Sequence, residues 1–159
     1  MPASGAPLPG AVRFPDGSWV RGRALRNGPV DGPDPTLGLY LGRYPGVEHR
    51  PDWPHHVLPW PDFWLPRDPG RAALLLRAAH DHALAGGRVE VGCAGGRGRT
   101  GTAIAAMAVL AGVPADAATS WARQHYDRRA VETPWQRRWV RRFPDLVQRT
   151  AGPVSGSDS

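Results

Sequence analysis

The only cysteine of this chain, Cys93, follows the strand-like run 89–92 and opens a glycine-rich loop that leads into an alanine-rich helix. A loop of this kind directs consecutive backbone N–H groups to one point, and the first turn of the following helix adds a partial positive charge there. Arg99 adds a guanidinium. The pattern predicts an oxyanion-binding site in which the local field favours the thiolate, the nucleophilic form of cysteine. The residues expected to hold the anion are Ala94, Gly95, Gly96, Arg97, Gly98 and Arg99.

The same loop has other interpretations. A lone cysteine is most often a small buried hydrophobe, but burial alone explains neither Arg99 nor the glycines. Residues 96–101 also match the GxGxxG fingerprint of dinucleotide-binding folds, yet no second strand with an acidic end follows the helix. A Walker A loop needs a lysine, and all 20 basic residues of the chain are arginine. The interpretation of Cys93 as a nucleophile accounts for the cysteine, the glycines and Arg99 together.

Turn residues and periodicity predict the elements that position this loop. Pro15-Asp16-Gly17 predicts a hairpin turn, and Asp68 followed by Pro69 predicts a capped helix start. Thr133 and Gln136 have the spacing of a capping box. The helix that follows the loop is apolar on every side, which predicts that it is buried. The expected strands are 11–14, 18–25, 37–41, 55–58 and 88–92, and the expected helices begin near Asp68, Thr100, Pro114 and Thr133.

Length and composition bound the class of protein. At 159 residues the chain is long enough for one domain with its own core. One cysteine excludes an intramolecular disulfide, and no apolar run approaches the length of a membrane span. The first residues lack the features of a secretory signal. We expect a single domain over 11–149, disordered segments over 1–10 and 150–159, and a cytoplasmic protein that is favoured to be a monomer.

The net charge of +6 favours anionic partners without identifying them. The arginines at 137, 138, 141 and 142 could contact nucleic acid, but Trp135, Trp139 and Phe143 recur at every fourth position and form an apolar stripe opposite them. This pattern is typical of an amphipathic surface helix, so nucleic acid is not an expected partner. The histidines show no metal-ligand spacing, so neither a metal nor a cofactor is expected.

Two motifs carry a resemblance to a known family. Cys93, five residues, Arg99 and then Thr100 resemble the active-site loop of the cysteine-dependent protein-tyrosine and dual-specificity phosphatases. Trp60-Pro61-Asp62 is similar to the mobile acid loop of that superfamily, at a similar distance upstream. Residues 129–133 with Gln136 resemble its downstream segment. The resemblance covers about 37–143 and implies a three-layer α/β/α fold, with a mostly parallel sheet of four to five strands flanked by helices.

The resemblance also implies an activity and a role for each site residue. The chain would be a metal-independent phosphomonoester hydrolase acting on a phosphorylated protein or a small anionic phosphomonoester. Cys93 would attack phosphorus to form a phosphocysteine, Arg99 would hold two phosphate oxygens, and Asp62 would protonate the leaving oxygen. Supporting roles would fall to Thr100, which donates to the thiolate, to Gln136, which positions water, and to Trp60 in the acid loop.

The chain also departs from the family pattern. Gly92 stands where the family usually has histidine, and no basic-aromatic loop that would deepen a phosphotyrosine pocket is evident. Arg97 is similar to the basic loop residue of phosphoinositide phosphatases, but a side chain that faces solvent is the favoured interpretation. Phosphoprotein and phosphoinositide substrates both stay open, as does a catalytically silent phosphate-binding module. Sulfur transfer and arsenate reduction use a similar loop, but arsenate reduction commonly needs a second thiol.

Overall fold

The computed structural model describes residues 6–42 and 51–150, which form a five-stranded sheet and four α-helices. The strands are β1 (Val12–Arg13), β2 (Trp19–Ala24), β3 (Leu37–Leu41), β4 (His55–Leu58) and β5 (Val89–Cys93). The helices are α1 (Pro69–Leu84), α2 (Gly98–Leu110), α3 (Ala115–His125) and α4 (Pro134–Thr150). Each predicted strand and helix is present, so the predicted α/β class is confirmed.

The strands lie in the order β1-β2-β5-β3-β4, with β1 antiparallel to β2 and the other neighbours parallel. β5 lies at the centre, and its Glu90 and Val91, on opposite faces of the sheet, are both 0% exposed, as expected of a strand covered on both faces. Ala24 at the end of β2 pairs with Cys93 at the end of β5. Because parallel strands end at the same edge of a sheet, the loops after β2, β3, β4 and β5 meet around Cys93.

The four helices pack together on one face of the sheet, where Val20, Leu39 and Val91 belong to the main hydrophobic core. Successive side chains of a strand point to opposite faces of the sheet, so apolar residues at every second position line the face that packs against the helices. Asp68 caps α1 by accepting a hydrogen bond from the backbone of Arg71 at 3.0 Å, as the Asp-Pro start predicts.

The opposite face of the sheet carries the alternate side chains and a buried ionic cluster. Glu90 is 0% exposed and accepts hydrogen bonds from Arg21 Nε at 2.9 Å and from Tyr40 Oη at 2.8 Å. A buried carboxylate needs such partners, since an unpaired buried charge is costly. The 3-10 turn Leu25–Asn27 and Trp53 cover this face. The third layer of the described domain is therefore mainly irregular chain.

Helix α2 lies in the centre of the molecule, and residues 103–108 are all 0% exposed, which confirms the predicted burial. It begins at Gly98, two residues earlier than the sequence predicts. The Arg97 carbonyl already accepts a hydrogen bond from the Gly101 backbone at 2.7 Å. The end of the glycine-rich loop is thus the first turn of the helix.

Other details differ from the sequence-based expectations. Leu8, inside the N-terminal segment expected to be disordered, is 3% exposed and contributes to the core. The two terminal segments expected to be disordered are 1–10 and 150–159. Of these, residues 1–5 and 151–159 lie outside the described residues. Trp139 and Phe143 are buried as the apolar stripe of α4 predicts, but Trp135 is 42% exposed. Trp135 lies at the first turn of α4 and contacts Phe63 and Trp64 instead.

Candidate active site

Cys93 lies at the bottom of a cavity of about 260 Å³ at the carboxyl edge of the sheet. Its side chain is buried, at 2% exposure, yet it lines the cavity. The sulfur accepts a hydrogen bond from the Gly96 backbone N–H at 3.2 Å. The strand, the loop and the first turn of α2 therefore place the cysteine where an anion would bind.

One loop glycine is required by close packing. Gly96 has a φ of 69°, and a Cβ there would lie 2.7 Å from the backbone nitrogen of Ala24. Any other residue at this position would push the loop away from β2. A Cβ on Gly98 would meet the side chain of Glu132, which can move aside.

Arg99 reaches across the carboxyl edge of the sheet and is 7% exposed. Its Nη1 donates to the carbonyl of Trp60 at 3.0 Å and to that of Leu41 at 3.5 Å. Gly42 makes this path possible, because a Cβ on Gly42 would collide with Nη1. Within 6–42 and 51–150, no hydrogen bond uses Nε or Nη2 of Arg99, and Nε lies 3.5 Å from Asp62 Oδ1. The Nε/Nη2 edge is the planar fork that can hold two oxygens of one anion.

The Trp60–Asp62 loop closes one side of the cavity. Trp60 is 1% exposed, and its indole donates to the Trp64 carbonyl at 2.8 Å. The carboxylate of Asp62 is 54% exposed, lines the cavity, and accepts from the Phe63 backbone at 3.0 Å. Phe63 has a φ of 59°, a conformation that costs about 1–3 kcal/mol in a residue with a bulky side chain. Contacts from elsewhere must therefore hold this loop.

Helix α4 supplies those contacts. The indole of Trp135 donates to the Phe63 carbonyl at 2.7 Å, and its ring lies 5.2 Å from that of Trp64. Gln136 Nε2 donates to the Trp64 carbonyl at 3.0 Å. Gln136 also makes the predicted capping box, since its backbone donates to Thr133 Oγ1 at 3.1 Å and its Oε1 accepts from the Thr133 backbone at 3.3 Å. In this arrangement both ends of the Gln136 amide bind protein groups.

Thr100 is fully buried next to Arg99 in α2. Its hydroxyl has no hydrogen-bond partner among the residues that the structure describes. A hydrogen bond to the thiolate, the role expected of Thr100, is thus not formed in this arrangement. The Thr100 hydroxyl and the Arg99 Nε, which is ion-paired with Asp62 but makes no hydrogen bond, belong to adjacent residues at the site expected to hold an anion.

Three further residues at the site were missed by the sequence analysis. Tyr126, which follows α3, donates its hydroxyl to the Gly96 carbonyl at 2.5 Å. Burial, and after it the negative charges of Cys93 and Asp127, raise the pKa of Tyr126, so its hydroxyl stays a donor. Arg26 and Glu132 line the cavity together with Asp62 and Cys93.

The predicted order of strands and loops could have indicated that Arg26 lies at the site. It comes directly after the predicted strand 18–25, and the loops of parallel strands meet at one edge. Glu132 lies within the segment that already resembled the family. Tyr126 gives no signal in the sequence, because its contact depends on the path of the chain after α3.

Arg97 lines the rim of the cavity and is largely open to solvent. Its side chain is 51% exposed, and its Nε lies 3.9 Å from Asp127 Oδ2. Ala94, Gly95 and Gly98 complete the loop around the cysteine, and Gly95 and Gly98 line the cavity. Across 6–42 and 51–150, no three His, Cys, Asp or Glu side chains are grouped so that they could hold a metal. No helix in this part of the chain is both long and apolar enough to cross a bilayer.

Comparison with known proteins gives structural neighbours only. No protein-family model matches the chain. No curated protein matches its sequence. Tk-PTP in its active form aligns with a TM-score of 0.64 at 22% identity, covering 89% of this chain and 99% of Tk-PTP.

Two further solved structures have the same architecture. Kinase associated phosphatase, with serine in place of its catalytic-site cysteine, aligns with a TM-score of 0.58 at 16% identity, over 70% of this chain and 68% of that one. PTPMT1 aligns with a TM-score of 0.52 at 17% identity, over 73% and 80%. At these identities the comparison concerns the fold, and it confirms the fold that the motifs imply. The chain has the fold of the cysteine-dependent protein-tyrosine and dual-specificity phosphatases.

Proposed function

We propose that this protein is a phosphomonoester hydrolase of the protein-tyrosine or dual-specificity type, which acts through a phosphocysteine intermediate and needs no metal. The observation that carries the proposal is the shared cavity. Cys93 and Asp62 line it together, and the Nε of Arg99 lies 3.5 Å from the Asp62 carboxylate. A nucleophile, an anion-binding fork and a candidate general acid thus lie at one site on a fold shared with phosphatases.

The first chemical step would be attack by the Cys93 thiolate on phosphorus. The S–P bond forms as the bond from phosphorus to the leaving oxygen breaks, and Asp62 gives its proton to that oxygen. Charge on the three equatorial oxygens is neutralised by the loop amides and by the free edge of Arg99. Little else is needed from the protein, because phosphoryl transfer depends mainly on position and electrostatics.

The second step would release phosphate. Asp62, now a carboxylate, takes a proton from water, whose oxygen bonds to phosphorus while the S–P bond breaks and the thiolate returns. The exposure of Asp62, at 54%, is compatible with access of water from solvent. Glu132 is a second carboxylate on the cavity wall. A comparison of variants at Asp62 and at Glu132 therefore tests which of the two is the general acid.

Hydrolysis of p-nitrophenyl phosphate with a chelator present tests the proposal. Cys93→Ser should abolish turnover, and the variant should still bind inorganic phosphate if it is folded. Asp62→Asn should lower kcat by about 10²- to 10⁴-fold and remove the limb of the pH profile that reports the acid. Retained turnover in Cys93→Ser would overturn the proposal, and its absence in the unaltered protein would favour a silent phosphate-binding module.

Glu132→Gln is the matched control for the acid. It removes the other cavity carboxylate while keeping the size of the side chain. A modest change in kcat is expected for this variant. If Glu132→Gln removes the acid limb and Asp62→Asn keeps it, the role of general acid belongs to Glu132.

A further inference from the structure

The 3-10 turn Leu25–Asn27 forms one wall of the active-site cavity, through Arg26 and Asn27. This turn is fixed to the phosphate-binding loop. The backbone N–H of Arg26 donates to the Ala94 carbonyl at 3.1 Å, and the Arg26 Nε donates to the same carbonyl, also at 3.1 Å. Arg26 is therefore held to the loop by two hydrogen bonds, one from its backbone and one from its side chain.

Packing below the turn fixes it further. Leu25 is 5% exposed and lies over Gly92, where a Cβ would approach its Cδ2 to 2.9 Å. Gly28, with a φ of 78°, ends the turn by donating its backbone N–H to the Leu25 carbonyl at 3.1 Å. A rigid turn places the head group of Arg26 before any ligand arrives, which reduces the entropy lost on binding.

The terminal nitrogens of Arg26 point along the loop. Nη2 lies 3.3 Å from where a Cβ of Gly95 would be, and Gly95 also lines the cavity. Among the described residues, the only side-chain hydrogen bond of Arg26 uses Nε. Arg97, the other cation on the cavity wall, has Asp127 3.9 Å away, and Arg99 is turned toward the Trp60 carbonyl and Asp62. Arg26 is thus the cation of the cavity wall with no carboxylate partner in this part of the chain.

We infer that Arg26 is a specificity-determining residue that binds a second phosphate of the substrate, on the carbon adjacent to the one carrying the scissile phosphate. The inference rests on the proposed function, because it assumes that the scissile phosphate occupies the Cys93 loop. A phosphate there engages the loop amides and Arg99, and the two free nitrogens of Arg26 form a separate fork beside it. The substrate class is a small phosphomonoester with vicinal phosphates.

The test compares three substrates that share one ring: phenyl phosphate, benzene-1,2-diyl bisphosphate and benzene-1,4-diyl bisphosphate. The 1,4 isomer has the charge of the 1,2 isomer but carries its second phosphate across the ring. The unaltered protein should prefer the 1,2 isomer to both others by about tenfold or more in kcat/KM. Arg26→Ala should remove this preference, mainly through KM, and should lower kcat/KM for the 1,2 isomer by a larger factor than for phenyl phosphate.

Two variants separate recognition from structure and from overall charge. Arg26→Gln keeps a side-chain N–H that can bind the Ala94 carbonyl but has no charge, and it should lose the preference as Arg26→Ala does. Arg142→Ala removes an exposed arginine on α4 and should leave the preference unchanged.

Equal losses on all three substrates in the Arg26 variants would overturn the inference, because they would mean that Arg26 only supports the loop. So would an unaltered protein that does not distinguish the 1,2 from the 1,4 isomer. Either result leaves the proposed function intact as long as phenyl phosphate is hydrolysed and Cys93→Ser is inactive. Absence of turnover on every substrate would overturn both.

Discussion

Leu25 occupies the space that a side chain on Gly92 would need, directly before the cysteine. A Cβ at residue 92 would lie 2.9 Å from Leu25 Cδ2 and 3.2 Å from the Arg23 carbonyl oxygen. The phosphatase family that the cysteine motif resembles usually has histidine at this position. In this chain the turn after β2 fills that volume, so the glycine at residue 92 is part of how the turn packs against the Cys93–Arg99 loop.

Adding a side chain at residue 92 should therefore destabilise the protein. We expect Gly92→Ala to lower the free energy of unfolding by about 1–3 kcal/mol, because the backbone carbonyl of Arg23 cannot move away as a side chain could. Urea denaturation measures the change. Gly70→Ala is the control, since a Cβ there meets nothing closer than 3.7 Å and replaces glycine in a helix.

A double-mutant cycle with Leu25→Ala identifies the contact responsible. The double variant should be more stable than the sum of the two single changes by about 1 kcal/mol, because truncated Leu25 leaves room for the new methyl group. Additive effects would mean that the strain at residue 92 comes from the backbone of β2 alone.

The sequence predicted the parts of the site that are local. A strand, a glycine-rich loop and a helix are contiguous, so Cys93, Arg99 and the first turn of α2 follow from residue types and spacing. The position of Asp62 next to Arg99 was implied only by the resemblance, because it depends on how the loop after β4 crosses the end of β3. The helices were likewise readable, since apolar patterns and the caps of α1 and α4 are local, whereas the parallel sheet was implied only by the resemblance.

The contacts between distant loops could not be read in the same way. Trp135 continues the apolar stripe of Trp139 and Phe143, and periodicity therefore predicts that it is buried. In the structure it is 42% exposed, and its ring lies against that of Trp64. On the face of the sheet away from the helices, the side chains of β2 and β5 are ionic, and Leu25 and Trp53 cover them.

Trp135 should help to hold the Trp60–Asp62 loop in place. Trp135→Phe keeps a ring to pack on Trp64 but loses the hydrogen bond to the Phe63 carbonyl, which the strained backbone of Phe63 needs. We expect kcat for p-nitrophenyl phosphate to fall about fivefold, with little change in the inhibition constant of inorganic phosphate. Trp19→Phe, at an exposed tryptophan of β2, is the control and should leave kcat unchanged. Equal effects in the two variants would refute the role of the bond.

Asp16 should make stability depend on pH in the acid range. Burial pushes the pKa of Asp16 upward, but hydrogen bonds from the Ser18 hydroxyl and backbone and from His80 outweigh it, so the pKa lies below its ordinary value of 3.8. Because the folded state then binds its proton less readily than the unfolded state, the contribution is fully present above the unfolded pKa. It is lost as the pH falls through the folded pKa.

Urea midpoints at pH 7, 4 and 2.5 measure this contribution. Asp16→Asn should be less stable than the unaltered protein at pH 7, and the difference should shrink toward pH 2.5. Asp31→Asn, at an exposed aspartate, should show a constant and small difference. A constant gap between Asp16→Asn and the unaltered protein at all three pH values would contradict the expected linkage.

Tyr126 should hold the Cys93–Arg99 loop in position through its contact with Gly96. Its hydroxyl binds the Gly96 carbonyl, and its ring fills the space left by Gly22, where a Cβ would collide with it. The bond keeps the Gly96 carbonyl turned away from the cavity, so that the Gly96 N–H faces the Cys93 sulfur. Tyr126→Phe should lower kcat/KM for p-nitrophenyl phosphate about fivefold and weaken inhibition by inorganic phosphate by a similar factor.

Tyr40→Phe is the matched control for this prediction. It also removes a buried hydroxyl from the sheet, but one that donates to Glu90 on the face away from the helices. Both variants should lose about 1 kcal/mol of unfolding free energy. Only Tyr126→Phe should weaken phosphate inhibition, because only Tyr126 contacts the loop. If the two variants lose activity in proportion to their loss of stability, the hydroxyl of Tyr126 stabilises the fold without orienting the amides that receive the anion.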